Sequence, residues 1–480
     1  MLRMCDLKRR NPVPSPPVQL SPILTMRDIP RRAQIQTDIA AKQVEEQEVW
    51  RAFAETHKGH PNMSRSQPTP FHYVMRDGAW KGHRAFVVGG GASLRGFDWD
   101  LLKGELVIGV NRAFEKCSCS ILFSMDLRLW TFYERGDLGE VAKERFGAYQ
   151  GNRVWSVTPN FILPPEAYYV PRPKRGMGYG VGTIKELETA NNSGYGAMQL
   201  AIALGAKPVY LLGFDMMGDG KGKQVWWHEG YPTGQAEGVY KGMVEHFNAF
   251  ASNTKGRGLD VINLSKNSAL RCFRKQDVGE VLAQKVCRPV VVSFYTENTG
   301  YEREAARLVE SLHRFGLEYD VEARPNMGGW KKNNDYKPSF ILEMMEKHKG
   351  RDIVWLDSDA VVMAYPELWD DAKIKLGVHT VDWSRYVGRE TWNKKEMLAG
   401  TIYLGNTPQV RTFVKGWIQR MITHPKATDQ QNLEALAKGK DWVTQLPATY
   451  CQIFDTMASA GEPVVEHGQA SRRLKKEVGA

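Results

Sequence analysis

The chain has 480 residues and a mass of 54.3 kDa, with 42% apolar and 25% charged side chains, a composition that excludes wholesale disorder. Six cysteines spread over that length are too scattered for a disulfide framework. No apolar run approaches the roughly 18–20 residues of a membrane helix. The formal net charge is +11, of which +4 lies on residues 1–80 (12 basic against 8 acidic side chains) and +6 on 81–287 (26 against 20). A basic surface of this kind suits phosphorylated small molecules, and a polyanion partner stays open.

Residues 1–40 read as a basic tail, proline-rich at Asn11–Pro17, with arginine pairs at 9–10 and 31–32. The tail lacks the apolar segment of a secretory signal, so a cytoplasmic location is expected. Ile39–Lys58 predicts one polar helix with Trp50 and Phe53 on a shared face, and Gly59–Gly82 predicts a linker. From Arg84 onward short apolar runs alternate with helical patterns. Strands are predicted at Ala85–Val88, Leu106–Val110, Val154–Val157, Pro208–Phe214 and Gly258–Leu264, with a helix over Gly194–Leu204. Pro164–Ala190, rich in glycine, proline and tyrosine, predicts a lid.

After Lys285 a second series begins. Strands are predicted at Val290–Tyr295, Glu318–Glu322, Ile353–Leu356, Gly377–Val381 and Gly400–Leu404. Helices are predicted at Tyr301–Phe315, Lys337–His348 and Pro408–Ile422. The expected fold is α/β: two Rossmann-like nucleotide-binding domains in tandem, at 81–286 and 287–480, behind a flexible basic segment at 1–80.

Two stretches carry chemistry. In the second half, Ile353-Val354-Trp355-Leu356 runs into Asp357-Ser358-Asp359. That delivers two carboxylates to the carboxyl edge of a sheet expected to be parallel, where open α/β folds bind ligands. Such a pair suits Mn²⁺ or Mg²⁺ on one side and a nucleotide on the other; a solvated turn fits the same string. In the first half, Val87-Val88-Gly89-Gly90-Gly91-Ala92-Ser93 is a strand leading into glycines and a hydroxyl. Glycines there would let backbone N–H groups approach a phosphate. No Gly-Lys-Ser/Thr follows, which disfavours a P-loop kinase, and the dinucleotide fingerprint is absent.

The second half resembles the metal-dependent GT-A glycosyltransferases. The resemblance rests on the helix opening at Lys337-Pro338-Ser339, the Asp-Ser-Asp string, Gly400-Thr401-Ile402-Tyr403-Leu404-Gly405-Asn406, Asp429-Gln430-Gln431-Asn432-Leu433 and Glu466-His467-Gly468. It implies nucleotide-sugar donors, Asp357 at metal and nucleotide, Asp359 and His467 as further metal ligands, and Asp429 near the reacting groups. Asp429 also suits a helix N-cap, and His467 a tail histidine without a partner. Lys337 would face either phosphate or solvent.

The first half resembles the sialyltransferase-like fold of glycosyltransferase family 42, whose wider group includes 6-hydroxymethylpterin diphosphokinase-like proteins. Its carriers are the Gly-rich loop, Gly109-Val110-Asn111-Arg112, Asn192-Ser193-Gly194 and Leu211-Leu212-Gly213-Phe214-Asp215. The resemblance implies nucleotide binding by Gly89, Gly90, Gly91, Ser93, Asn111, Ser193, Gly194 and Asp215, with His228 as general base and His246 as its competitor.

The expected function is a bifunctional glycosyltransferase acting on a saccharide, a protein or modified DNA in a bacterial host or phage-infected cell. The alternative is a single GT-A transferase preceded by a pyrophosphokinase-like or non-catalytic nucleotide-binding module.

Overall fold

A computed structural model of the chain describes residues 68–474, apart from 158–162, 174–177, 219–222, 233–237, 285–287, 371–372 and 388–394. The predicted tail and the helix expected over 39–58 lie outside the described residues. Contacts divide the chain into two units, one of residues 70–159 with 169–480 and one of residues 1–69 with 160–168. In the smaller unit, the amide of Thr69 donates to Ala167 O at 3.2 Å and that of Ala167 to Pro164 O at 3.0 Å.

The larger unit is a mixed α/β structure built on two main sheets. Seven strands of the first are Ala85–Val88 (β1), Leu106–Val110 (β2), Ile121–Ser124 (β3), Asn152–Val157 (β4), Val209–Leu212 (β5), Val261–Asn263 (β6) and Arg274–Lys275 (β7). They run in the order β4-β3-β2-β1-β5-β6-β7, every neighbouring pair parallel. β1, β2, β3 and β5 are buried at every position. Their unbroken apolar runs have that cause, since helices cover both faces of such sheets. β2, β3 and β4 are added on one side of β1 and β5 and β6 on the other, so the strand order switches at β1, beside the Gly-rich loop.

The second sheet contains Val290–Thr296 (β8), Tyr319–Arg324 (β9), Ile353–Leu356 (β10), Leu376–Asp382 (β12), Lys395–Leu404 (β13) and Val443–Gln445 (β14). Its order is β9-β8-β10-β13-β12-β14. The expectation of a parallel sheet is corrected here. β8, β9 and β10 are parallel, but β13 is antiparallel to both β10 and β12. Three short strands, Ala360–Val362 (β11), Gln452–Ile453 (β15) and Val465–His467 (β16), form a separate sheet in the order β11-β16-β15.

The helix Tyr301–Arg314 buries Ala305, Leu308 and Leu312 along one stripe, and also buries the charged Glu304 and Arg314. Lys337–Lys347 starts with Pro338 in its first turn, where the missing N–H costs nothing, and buries Phe340, Ile341, Met344 and Met345. These meet Val292, Trp355, Ile402 and Trp417 in one core.

Two loop expectations also change. Residues 68–82 are no linker: Phe71 and Trp80 are wholly buried, and Gly78 and Trp80 donate to Ala203 O and Leu204 O. The described end of the expected lid is equally anchored, because Ile184, Leu187 and Ala190 are core residues. Apolar anchors inside a Gly/Pro-rich stretch outweigh its composition.

The two main sheets meet across a buried polar seam. The Trp80 indole donates to Arg314 O (2.8 Å), Arg314 Nε donates to Asn152 Oδ1 (3.2 Å), and His313 Nδ1 bonds Cys119 O (3.2 Å). Asn152 is completely buried, and Arg314 nearly so.

Candidate functional site

At the carboxyl end of β10 the chain turns through Asp357-Ser358-Asp359 into β11. Asp357 N donates to Gly400 O (2.9 Å), tying the turn to β13, and Ala360 N donates back to Asp357 O (2.9 Å). The Asp357 carboxylate stays 37% exposed, takes the Trp355 indole N–H at 2.9 Å, and meets Lys337 Nζ at 3.0 Å. Lys337 is not in solvent. It is buried between Asp357 and Asp429 (2.8 Å) and also donates to Ala399 O (3.3 Å). Burial opposes its charge, but the two carboxylates more than offset this and hold its pKa above the ordinary lysine value.

Asp359 is largely buried and accepts the Ala470 amide at 2.6 Å. Burial disfavours its ionised form, yet His467 and the Ala470 N–H outweigh it, so its pKa falls below the usual carboxylate value. His467 sits on β16, its Nδ1 3.8 Å from Asp359 Oδ1 and its Nε2 2.9 Å from Thr401 Oγ1. Burial favours the neutral ring, but Cys451 and Asp359 raise its pKa to about 10. A Cβ on Gly400 would lie 2.9 Å from the imidazole, which explains glycine at that point of β13.

Asp357, Asp359 and His467 each offer a ligand atom, all within 4.8 Å of one another. They line a cavity of about 170 Å³ with Lys337, Trp330 and Gln430. Two oxygen donors and one imidazole nitrogen fit a Mn²⁺ or Mg²⁺ ion that keeps open positions for phosphate. Asp429 is not the cap of its helix. Thr428 caps it with a full capping box, and Asp429 is buried against Lys337 instead. It does not line the cavity, so its influence on the site runs through Lys337.

The second cavity, of about 390 Å³, opens at the carboxyl ends of β1, β2, β3 and β5. Gly89, Gly90, Gly91, Asn111, Ser193, Gly194 and Asp215 all line it, although they are scattered over 127 positions of sequence. The glycines have a packing reason. A Cβ on Gly89 or Gly91 would fall 2.7 or 2.5 Å from Gly213 O. The amides of Gly89 and Gly91 donate to Leu212 O and Gly213 O, and that of Ser93 to Asp215. The expected phosphate cradle of backbone amides is therefore corrected for Gly89, Gly91 and Ser93, whose N–H groups are spent on the protein. Ser93 lies behind the wall, also donating its hydroxyl to Asp215 Oδ1 at 2.5 Å.

Asn111 has a left-handed backbone (φ 55°), as have Asn191 (φ 50°) and Met216 (φ 49°) on the same wall. Strain of this kind concentrates at ligand sites. Ser124 Oγ donates to Asn111 Oδ1 (2.8 Å) and fixes that side chain.

His228 does not line this cavity. Its Nδ1 accepts the Gly230 amide (3.0 Å), its ring stacks on Trp226 at 5.7 Å, and its Nε2 is buried with no hydrogen-bond partner among the described residues. Burial, with Arg112 assisting, pushes its pKa down to about 3. His246 lies on the helix Val239–Asn253, outside the cavity wall. Because the folded pKa of His228 lies below the ordinary 6.5, its neutral form contributes stability at neutral pH that is lost as pH falls from 6.5 toward 3. His228→Gln, which takes no proton, is expected to show a smaller drop in Tm than the parent between about pH 7 and about pH 4. Equal drops in a thermal melt would refute the buried neutral imidazole.

No protein-family profile and no curated protein matches the chain. Solved structures do. A glycosyltransferase involved in glycosylating the major capsid of PBCV-1 aligns at 14% identity over 40% of this chain and 98% of its own, with a TM-score of 0.31. The bifunctional glycosyltransferase WbbM aligns at 14% identity over 48% of this chain and 54% of its own, TM-score 0.28. The glycosyltransferase GlyE of Streptococcus pneumoniae TIGR4 aligns at 15% identity over 38% and 54%, TM-score 0.26. The chain thus spans about half the length of WbbM and GlyE.

Sequence reasoning overlooked Arg172 and Tyr231 on the second cavity and Gln469 on the first. Gln469, two residues beyond His467, adopts φ 52°. Neither Arg172 nor Gln469 stands in a recognisable string, whereas Asn192, which opens the Asn192-Ser193-Gly194 string, also lines the second cavity.

Proposed function

We propose that the smaller cavity is the catalytic centre of a metal-dependent glycosyltransferase using a nucleotide-sugar donor, and that the larger cavity binds a nucleotide. The convergence of Asp357, Asp359 and His467 beside buried Lys337 carries this reading. These three residues would hold Mn²⁺ or Mg²⁺, which supplies positive charge against the departing diphosphate. Lys337 adds a fixed cation at the same place, and Asp429 keeps that ammonium charged and aimed at Asp357. Thr401 orients the His467 ring through Nε2, leaving Nδ1 toward Asp359. The division into a sialyltransferase-like part at 81–286 and a GT-A part at 287–480 belongs to the same proposal, as do acceptors of the saccharide, protein or modified-DNA class.

One observation favours the alternative for the first half. His228 is buried, neutral and off the cavity wall, whereas an effective general base titrates near the working pH. Nucleotide binding without chemistry suits that environment better than a second transferase centre. The test is hydrolysis and transfer over a panel of nucleotide sugars, with Mn²⁺ and with EDTA. Mn²⁺-dependent release of a nucleoside diphosphate supports the reading; no turnover with any donor overturns it.

A further inference from the structure

The larger cavity is electrically lopsided. Arg172, on its wall, donates through Nε and Nη2 to Ser156 O (3.1 and 2.7 Å) and through Nη2 to Met125 O (3.0 Å). Carbonyl oxygens hold a guanidinium in place without neutralising it, and no carboxylate among the described residues pairs with it. Two acids also line the wall. Asp126 is paired with Arg128 at 2.7 and 2.9 Å, and Asp215, whose bonds from the neutral amide and hydroxyl of Ser93 leave its charge in place, lies at the β5 end of the wall.

Met125, held by Arg172 through its carbonyl, donates its own amide to Ser193 Oγ at 3.2 Å. The guanidinium and the first residue of the helix Ser193–Ala203 therefore flank a single residue. That helix is buried over nearly its whole length, so its positive N-terminal end faces the cavity with little solvent to screen it. Asn192 adds an independent observation. The residue is 5% exposed and lines the cavity, and its Oδ1 caps Tyr195 N at 3.1 Å, but its Nδ2 has no acceptor among the described residues. A buried donor left without an acceptor is costly, and a ligand acceptor removes the cost.

We infer that Arg172, Asn192 and this helix terminus form an anion site that takes the phosphate monoester of a nucleoside monophosphate, the Asp215 end of the cavity receiving its hydroxyl-bearing part. The inference rests on the reading of this cavity as a nucleotide site. One unneutralised cation and one helix end match the charge of a phosphate better than that of a triphosphate. Three phosphate oxygens also accept from donors arriving in different directions, as these do. At the far end Asp215, with spare lone pairs, and Gln224 suit ribose or sugar hydroxyls.

The experiment is calorimetric titration of the full chain with CMP and UMP, and with cytidine and uridine. A nucleotide is expected to bind roughly 10–100-fold more tightly than its nucleoside, and added salt to narrow the gap. Arg172→Gln should remove most of the difference. Because Arg172 also braces two carbonyls, Asn192→Asp provides a second probe. It keeps the capping oxygen but places negative charge where the orphan amide stood, so nucleotide affinity should fall by about 10-fold or more with nucleoside affinity retained. Nucleotide binding that both variants leave unchanged, or nucleoside binding as tight as nucleotide binding, overturns the anion site while the nucleotide reading stands. No binding of any of the four ligands, nor of AMP, GMP and their nucleosides titrated in the same way, overturns both.

Discussion

Asp357→Asn and Asp359→Asn are each expected to lower glycosyl transfer by about 10³-fold or more, the loss of roughly 4 kcal/mol of charge stabilisation at about 1.36 kcal/mol per tenfold. Asparagine keeps the shape of either side chain but removes the anion that a divalent ion requires. Stability should change little in Asp357→Asn and fall in Asp359→Asn, which leaves buried His467 without its counter-charge. Asp357 sits partly exposed at a strand end, and Lys337 retains Asp429 when Asp357 is neutralised. Asp359→Asn keeps an oxygen for the Ala470 amide. EDTA should reproduce the loss in the parent protein, and Mn²⁺ should restore it there but not in the variants. Product release from a nucleotide sugar, read beside a thermal melt, separates a damaged site from a damaged fold. Unchanged turnover in both variants would sink the assignment.

How much of this was legible in the sequence varies with the physics of each element. β1, β2 and β10 coincide with their predicted bounds because each is a short apolar run ended by a residue that cannot extend it. β3 was missed because Ile-Leu-Phe, set among cysteines and serines, is too short to display a period. The antiparallel run of β13 was hidden for another reason. Local pattern encodes burial but not direction, and Lys395 and Glu396 at its start read as loop.

Within the sites, sequence strings located Asp357, Asp359 and His467, and the structure gathers them although 108 positions separate Asp359 from His467. It could not reveal that Lys337 is buried between two acids, since a lysine beginning a helix looks the same in water. The Gly-rich loop was found for the wrong physical reason. Gly89 and Gly91 are small because β1 packs against the Gly213 carbonyl. Arg172 is placed by tertiary contacts and carries no local signature.

The remaining large effect concerns the junction at residues 285–288, where tandem domains would come apart into two soluble fragments. The seam predicts the reverse. Separating the halves would bare Trp80, which is wholly buried, and would break the bonds that Asn152, Arg314 and His313 make across the seam, leaving, among the described residues, Asn152 only Ser120, Arg314 only Glu310 and His313 only Tyr319. Each buried polar group left unpaired costs about 1–3 kcal/mol, against a typical net stability of about 5–15 kcal/mol. Arg288 adds to the tie, donating to Gly104 O at 2.5 Å, and Gly316 packs so closely that a Cβ would sit 2.7 Å from Glu105 O. Residues 1–284 and 288–480 produced separately are therefore expected to aggregate or to bind a hydrophobic dye, whereas a chain nicked between 285 and 288 should elute as one particle and melt in one transition. Arg314→Ala in the intact chain should lower stability by about 1–3 kcal/mol, because Asn152 loses a partner it cannot replace from solvent. Two soluble fragments with sharp melts of their own would restore the picture of independent domains and reduce the seam to an incidental contact.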